Sequence, residues 1–290
     1  MIHTGFKSPK IAVAVIPARY SSTRLPGKAL LPIAGKPLIV WVAERAVSAS
    51  SISRVIVATD DARINDAVTQ AGFEAMMTRS DHQSGTDRVA EVASRLDAEI
   101  IVNVQGDEPL IAAATIDRAV SALIDDPTAQ MSTTSEEIMD PADFTNPSVV
   151  KVSVDSDGNA VSFTRNPNPF PNQAVAKHGS PESSPGGSEL LFSFRKHTGL
   201  YVYRRDFLLE FAKWPQSESE KTQSLEQLRA LDRGVRIKVV EAESPSIGVD
   251  TAEDLERVRA ILSEPPAARG PREGSPSGVQ DAGGQVASRE

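Results

Sequence analysis

The chain has 290 residues and no cysteine, which excludes disulfide frameworks and thiolate zinc sites. With 40% hydrophobic and 24% charged residues it has the make-up of a soluble globular protein, in one large domain or two small ones. A net charge of −8 argues against a nucleic-acid binder, and no apolar run is long enough for a membrane span. The N-terminal MIHTGFKSPK lacks the apolar core of a signal peptide, so a cytoplasmic address is expected.

Residues 1–10 read as an extension. Ile11 to Ile16 is a continuous apolar, β-branched run closed by Pro17, as expected of a strand buried on both faces of a parallel sheet. Arg19, Arg24 and Lys28 follow among Ser21, Ser22, Thr23, Pro26 and Gly27. Three cations at the carboxyl end of a first strand point to an anion site, where small residues let backbone N–H groups approach phosphate oxygens. The glycine spacing fits neither a dinucleotide fingerprint nor a Walker A loop.

Leu38 to Ala49 has helical apolar spacing, and Arg54 to Ala58 is a second short strand. Ile64, Ala67, Val68 and Ala71 mark a helix with Gly72 as its stop. Phe73 to Thr78 reads as a strand, Val89 to Leu96 as a helix and Glu99 to Val104 as a strand. Residues 113–125 form a further helix. This alternation is the signature of a parallel sheet covered on both faces.

Two polar loops interrupt it. Residues 79–88, RSDHQSGTDR, suit a helix start with Ser84 or Thr86 as cap. Gln105 to Pro109, QGDEP, closes the Glu99–Val104 strand. There Asp107 is either a turn aspartate or, beside a triphosphate, a ligand for Mg²⁺, which takes one or two carboxylates plus phosphate oxygens.

Ser148 to Asp155 alternates apolar and polar residues and turns through Asp157-Gly158-Asn159 into Ala160 to Thr164, a hairpin that joins the sheet or forms a subdomain. Residues 166–188 read as a long Pro/Ser/Gly-rich loop. Lys196 to Tyr203 is strand-like, and Ser224 to Leu231 helical with Leu225, Leu228 and Leu231 inward. Val235 to Glu241 is a late strand and Ile247 to Asp250 a short one. Thr251-Ala-Glu-Asp254 looks like a capping box, which leaves Asp250 free for another task. Residues 263–290 have no apolar period and read as a disordered tail, leaving 11–262 as the folded domain.

The segment PARYSSTRLPGK resembles the nucleotide loop of the sugar-acid cytidylyltransferases, within them the branch acting on 3-deoxy-manno-octulosonate (Kdo). The HQSG, QGDEP, HTGLY, LEQLR and GVDT segments extend the likeness. It implies an α/β nucleotide-diphospho-sugar transferase fold, a Rossmann-like mixed sheet with an antiparallel subdomain, usually a homodimer. The implied reaction joins CTP and Kdo to give CMP-Kdo and pyrophosphate for the lipopolysaccharide inner core.

By this resemblance Ala18, Arg19, Arg24, Lys28, Arg79, Ser84, Gly85 and Gln105 hold the nucleotide. Gln105, Arg165, His197, Tyr201, Glu226 and Gln227 meet the sugar acid. Asp107 and Asp250 hold Mg²⁺, and with Arg19 and Lys28 they form the catalytic set. Thr198 stands where an aliphatic residue is usual, and Gln223 where an acid is common. The alternatives are another sugar acid (8-amino-Kdo or a sialic acid) or a non-catalytic nucleotide-binding protein.

Overall fold

The structure, a computed structural model, describes residues 12–21, 24–166 and 194–263. The extension at 1–10, most of the 166–188 loop and all but the first residue of the 263–290 tail lie outside the described residues.

Strand β1 (Ala12–Ala18) runs through the middle of a nine-stranded sheet. It pairs in parallel with β4 (Ile52–Thr59) and β6 (Ile100–Asn103), and β4 pairs in parallel with β5 (Glu74–Met77). Ala12, Ala14 and Ile16 belong to one buried cluster and Val13 and Val15 to another. Successive side chains feed opposite faces, so a strand covered on both sides is apolar without a break. Helices α1 (Leu38–Val47), α2 (Ala62–Gln70), α3 (Gly85–Ala93) and α4 (Ala113–Asp125) supply the cover. Two short strands, β2 (Pro32–Ile33) and β3 (Lys36–Pro37), pair just before α1.

Helix α3 starts at Gly85, ahead of its apolar period. Ser84 Oγ accepts from the Asp87 N–H at 3.1 Å, and the Asp87 carboxylate accepts from the Ser84 N–H at 3.0 Å. This reciprocal cap satisfies two N–H groups and fixes the helix start.

On the other flank, β10 (Phe194–Arg204) runs antiparallel between β6 and β7 (Met131–Glu136), and β11 (Ile237–Glu241) pairs in parallel with β7. Because β10 reverses direction twice over, β7 and β11 point the same way as β1. The hairpin of β8 (Lys151–Val154) and β9 (Ala160–Thr164) hangs on β10 as part of the same sheet.

Strand β7, MSTTSE, carries no apolar signature, yet every residue in it is buried. Its hydroxyls are satisfied internally: Ser132 Oγ donates to the Ala119 carbonyl at 2.6 Å and Thr133 Oγ1 to the Leu200 carbonyl at 2.7 Å. Two expected elements differ. Ile247 to Asp250 is an irregular segment, pinned by a neighbouring loop and not paired as a strand. The helix expected over 224–231 forms only over Gln227–Leu231; an earlier short helix, Glu218–Gln223, ends at Ser224, whose φ of 52° is left-handed. The last helix, Ala252–Ser263, follows Thr251, whose Oγ1 accepts from the Asp254 N–H at 3.1 Å. Among the described residues no helix is long and apolar enough to cross a membrane.

Candidate active site

The parallel strands β1, β4, β6, β7 and β11 end at one edge of the sheet, where open α/β folds gather their ligands. Ala18, the last residue of β1, is buried there, and Arg19 is exposed with no ion pair among the described residues. The chain returns at Gly27, whose N–H donates to the Tyr20 carbonyl at 3.1 Å and whose φ of 68° suits a residue without Cβ. This closure delivers Lys28 to a short 3₁₀ turn, Lys28–Leu30.

Lys28 Nζ donates to Asp107 at 2.6 Å and to Asp250 at 3.2 Å, and Arg24 pairs with the same Asp250 oxygen at 3.0 Å. Burial alone would lower the pKa of Lys28, but the two carboxylates outweigh it and raise it, so the ammonium stays charged. Asp107 reaches the spot through a constrained loop. A Cβ on Gly106 would lie 2.7 Å from the Pro17 carbonyl oxygen, so only glycine lets the end of β6 pass this close to β1. Asp250 arrives from β11 by way of Ala242, whose N–H donates to the Ser135 carbonyl at 2.9 Å, and Val249, whose N–H donates to the Asp107 carbonyl at 2.8 Å.

Two carboxylates converging on one ammonium form a donor set that suits a hard divalent cation. Among the described residues no three acidic or histidine side chains cluster as a metal cage. Oxygens from a bound triphosphate would therefore have to complete the coordination, the usual arrangement for Mg²⁺.

Arg165, His197, Tyr201, Glu226 and Gln227 all line a single cavity of about 380 Å³ beside β10. Arg165 is oriented by its own backbone and by Gln223: its N–H donates to Gln223 Oε1 at 3.2 Å and its Nε to the Gln223 carbonyl at 2.9 Å. The Tyr201 hydroxyl donates to Gln227 Oε1 at 3.1 Å, and Gln227 Nε2 is buried with no partner among the described residues. A buried donor without an acceptor is costly unless a ligand supplies one. Burial pushes the Tyr201 hydroxyl well above its ordinary pKa and lowers His197 to about 3, so both are neutral at pH 7.

Glu226 ties this cavity to the start of α3, because its carboxylate accepts from Ser84 Oγ at 3.1 Å and from Thr86 Oγ1. Burial raises its pKa against the pull of Thr86, Arg229 and Ser84. Gly85 opens α3 directly against Pro17, 3.4 Å from where its Cβ would stand. Gln105 Nε2 donates to Asn103 Oδ1 at 3.1 Å, and its side chain lies against Gly199, which lines the same cavity. Arg79 stands apart, exposed and doubly paired with Asp81 at 2.8 and 3.0 Å.

Several charged neighbours of these residues were not singled out in the sequence. Lys196 also lines the cavity and lies 3.6 Å from Glu136. Glu108, beside Asp107, bonds to Ser246 Oγ, and burial raises its pKa to about 7. Arg229 is buried in a two-pronged pair with Glu220 at 2.8 and 2.7 Å and reaches Glu226 at 3.3 Å. The sequence signal for these was only adjacency: Lys196 to His197, Glu108 to Asp107, Arg229 to the Glu226-Gln227 pair.

A strand-end cation loop, a carboxylate pair and an adjoining polar cavity on a mostly parallel sheet define a nucleotidyltransferase. The family model described as cytidylyltransferase matches residues 13–237. The 3-deoxy-manno-octulosonate cytidylyltransferase of Pelobacter propionicus is 54% identical over 255 residues, 87% of this chain and 98% of that protein. Its namesake from Geobacter sulfurreducens is 54% identical over 245 residues, 84% and 96% of the two chains. Among solved structures, a CMP:2-keto-3-deoxy-manno-octonic acid synthetase complexed with CTP superposes with a TM-score of 0.76 at 42% identity, over 87% of this chain and 98% of the other. The chain belongs to the 3-deoxy-manno-octulosonate cytidylyltransferase family.

Proposed function

We propose that the protein transfers the cytidylyl group of CTP to Kdo, giving CMP-Kdo and pyrophosphate for the lipopolysaccharide inner core. The observation that carries this reading is the junction of two half-sites. Lys28, Asp107 and Asp250 meet at the sheet edge, and Arg165, His197, Tyr201, Glu226 and Gln227 are among the residues that line the cavity beside β10. The names of the relatives given above, cytidylyltransferases of 3-deoxy-manno-octulosonate, support this reading.

In the reaction the anomeric hydroxyl of the sugar acid forms a new O–P bond at the α-phosphorus of CTP. The bond from that phosphorus to the bridging oxygen breaks, pyrophosphate leaves, and the hydroxyl proton is lost. Such a displacement depends on positioning and charge neutralisation more than on covalent catalysis. Arg24 and Lys28 would exchange their carboxylate partners for phosphate oxygens, and Arg19 is free to join them. Mg²⁺ held by Asp107, Asp250 and the triphosphate would neutralise charge and lower the pKa of the attacking hydroxyl.

Within the cavity Arg165 offers the cation for the sugar carboxylate, and Gln227 Nε2 offers an unused donor. His197, with a pKa near 3, is too weak a base to take the proton at pH 7. Ser84 and Gly85 at the start of α3, together with Gln105, would border both ligands. Arg79 would have to leave Asp81 before it could meet the nucleotide.

A homodimer in the cytoplasm is the expected setting by likeness, and sedimentation of the purified protein tests the assembly. The reaction itself is tested by incubating the protein with CTP, Mg²⁺ and separate sugar acids, and following pyrophosphate. Release with Kdo above 8-amino-Kdo and sialic acid is the expected result. Preference for another acid would reassign the substrate, and no release with any would favour a non-catalytic nucleotide binder.

A further inference from the structure

Thr133 lies in the middle of β7, opposite the point where the β10 register breaks between Thr198 and Tyr201. The break brings three groups to one buried hydroxyl. Thr133 Oγ1 is 2.7 Å from the Leu200 carbonyl oxygen, 2.8 Å from His197 Nε2 and 3.4 Å from the Thr198 carbonyl oxygen. A threonine hydroxyl has one hydrogen to give, and carbonyl oxygens only accept. The hydrogen therefore goes to Leu200, the nearer carbonyl, and His197 Nε2 must supply the hydrogen of the other short contact. The opposite assignment would leave the Leu200 oxygen facing a lone pair at 2.7 Å.

The imidazole is fixed in this orientation by Phe163, edge-on at 5.1 Å, and by Tyr201 at 5.5 Å. Burial keeps the ring neutral, so it carries a single proton. With that proton on Nε2, Nδ1 is bare. It makes no hydrogen bond among the described residues, and His197 lines the 380 Å³ cavity.

We propose that Thr133 acts as a positioning residue that locks His197 in the Nε2–H tautomer, so that bare Nδ1 accepts a hydrogen bond from a hydroxyl of the sugar acid. The inference rests on the assignment of this cavity to the sugar. It divides the work there: a bare Nδ1 repels a carboxylate and selects a hydroxyl donor, which leaves the carboxylate to Arg165. A buried β-strand threonine thereby acts on specificity without touching substrate.

Long-range ¹H–¹⁵N correlation of the histidine side chains at pH 7 reads the tautomer directly, with His197→Gln identifying the signal. The wild-type protein and Thr133→Ser should show the Nε2–H pattern. Thr133→Val, which is isosteric but lacks the hydroxyl, should move the ring to Nδ1–H. It should also raise the KM for Kdo about tenfold and leave that for CTP within about twofold. An Nδ1–H or doubly protonated ring in the wild type overturns the proposal, even if Thr133→Val does not fold. A Thr133→Val ring that keeps the Nε2–H pattern also overturns it. Adding Kdo should shift the Nδ1 resonance. If turnover is normal and that resonance stays still, the hydroxyl contact and with it the proposal are refuted, while the cavity's assignment to the sugar is judged separately by the Arg165→Lys effect on the KM for Kdo.

Discussion

The Val249 N–H donates to the Asp107 carbonyl at 2.8 Å, and this one backbone bond joins the two loops whose carboxylates share Lys28. Asp107 comes from the end of β6, next to the central strand, and Asp250 from an irregular segment beyond β11 at the sheet margin. Their meeting depends on the close passage of Gly106 past Pro17. Gly106→Ala places a methyl 2.7 Å from a carbonyl oxygen that belongs to the core sheet, so the Asp107 loop must shift. We expect a stability loss of about 1–3 kcal/mol and a larger proportional loss of turnover, read by denaturant unfolding and pyrophosphate release. Unchanged turnover would show that the loop position is not critical.

Lys28→Ala removes the cation held between Asp107 and Asp250, and with it the phosphate partner proposed above. Affinity for CTP should weaken about tenfold or more, the scale of a lost charge-assisted hydrogen bond, with the fold retained. Calorimetry with CTP measures it, and wild-type affinity would remove Lys28 from the nucleotide site.

Arg165→Lys keeps the charge but loses the planar fork, and with it the Nε bond to the Gln223 carbonyl. The KM for Kdo should rise about tenfold and that for CTP hardly change. An equal effect on both substrates would place Arg165 outside the sugar cavity.

The pH dependence of stability carries a further expectation. His197 has a folded pKa of about 3, below the unfolded value of roughly 6.5. Below pH ~6.5 the unfolded chain binds a proton that the folded chain refuses, so stability falls as pH drops through that window. His197→Gln should flatten this slope by at most about 1.4 kcal/mol per pH unit, since part of the ring reaches the cavity. Urea unfolding of both proteins at several pH values measures the difference, and parallel slopes would mean that His197 is protonated as readily folded as unfolded.

These residues were not equally legible in the sequence. Strand β1 and its cation loop could be read because a doubly covered strand must be apolar and a phosphate site must be basic. The α3 cap was visible in part: Ser84 was one of two candidates with Thr86, and its reciprocal partner Asp87 was not named although it is local. Strand β7 was hidden because its burial is satisfied by hydroxyl-to-carbonyl bonds, and a run of Ser and Thr reads as surface. The pairing of Asp107 with Asp250 was expected from the resemblance, with Asp250 read as the end of a short strand. The structure brings them together, but Asp250 is held by the Val249 backbone bond and not by a strand. Arg79 was grouped with the nucleotide residues by resemblance, and its ion pair with Asp81, two positions away, is a local contact that the grouping overlooked.

Asp107 and Asp250 are proposed to hold together the divalent cation for cytidylyl transfer. Asp250 is half-buried, with a solvent-facing ion pair to Arg24 and a part-buried one to Lys28, which keeps its shorter bond to Asp107 when Asp250 is neutralised, while Thr251 caps the next helix with Asp254. Asp250→Asn should therefore cost no more than about 1 kcal/mol of stability. It replaces an anionic oxygen by an amide that hard Mg²⁺ binds poorly. The deciding measurement is the rate of pyrophosphate release from CTP and Kdo as a function of Mg²⁺, for the variant beside the wild type. The account predicts a steep loss at low Mg²⁺ that is partly recovered as Mg²⁺ rises. A variant with the wild-type rate and the wild-type Mg²⁺ dependence would contradict it.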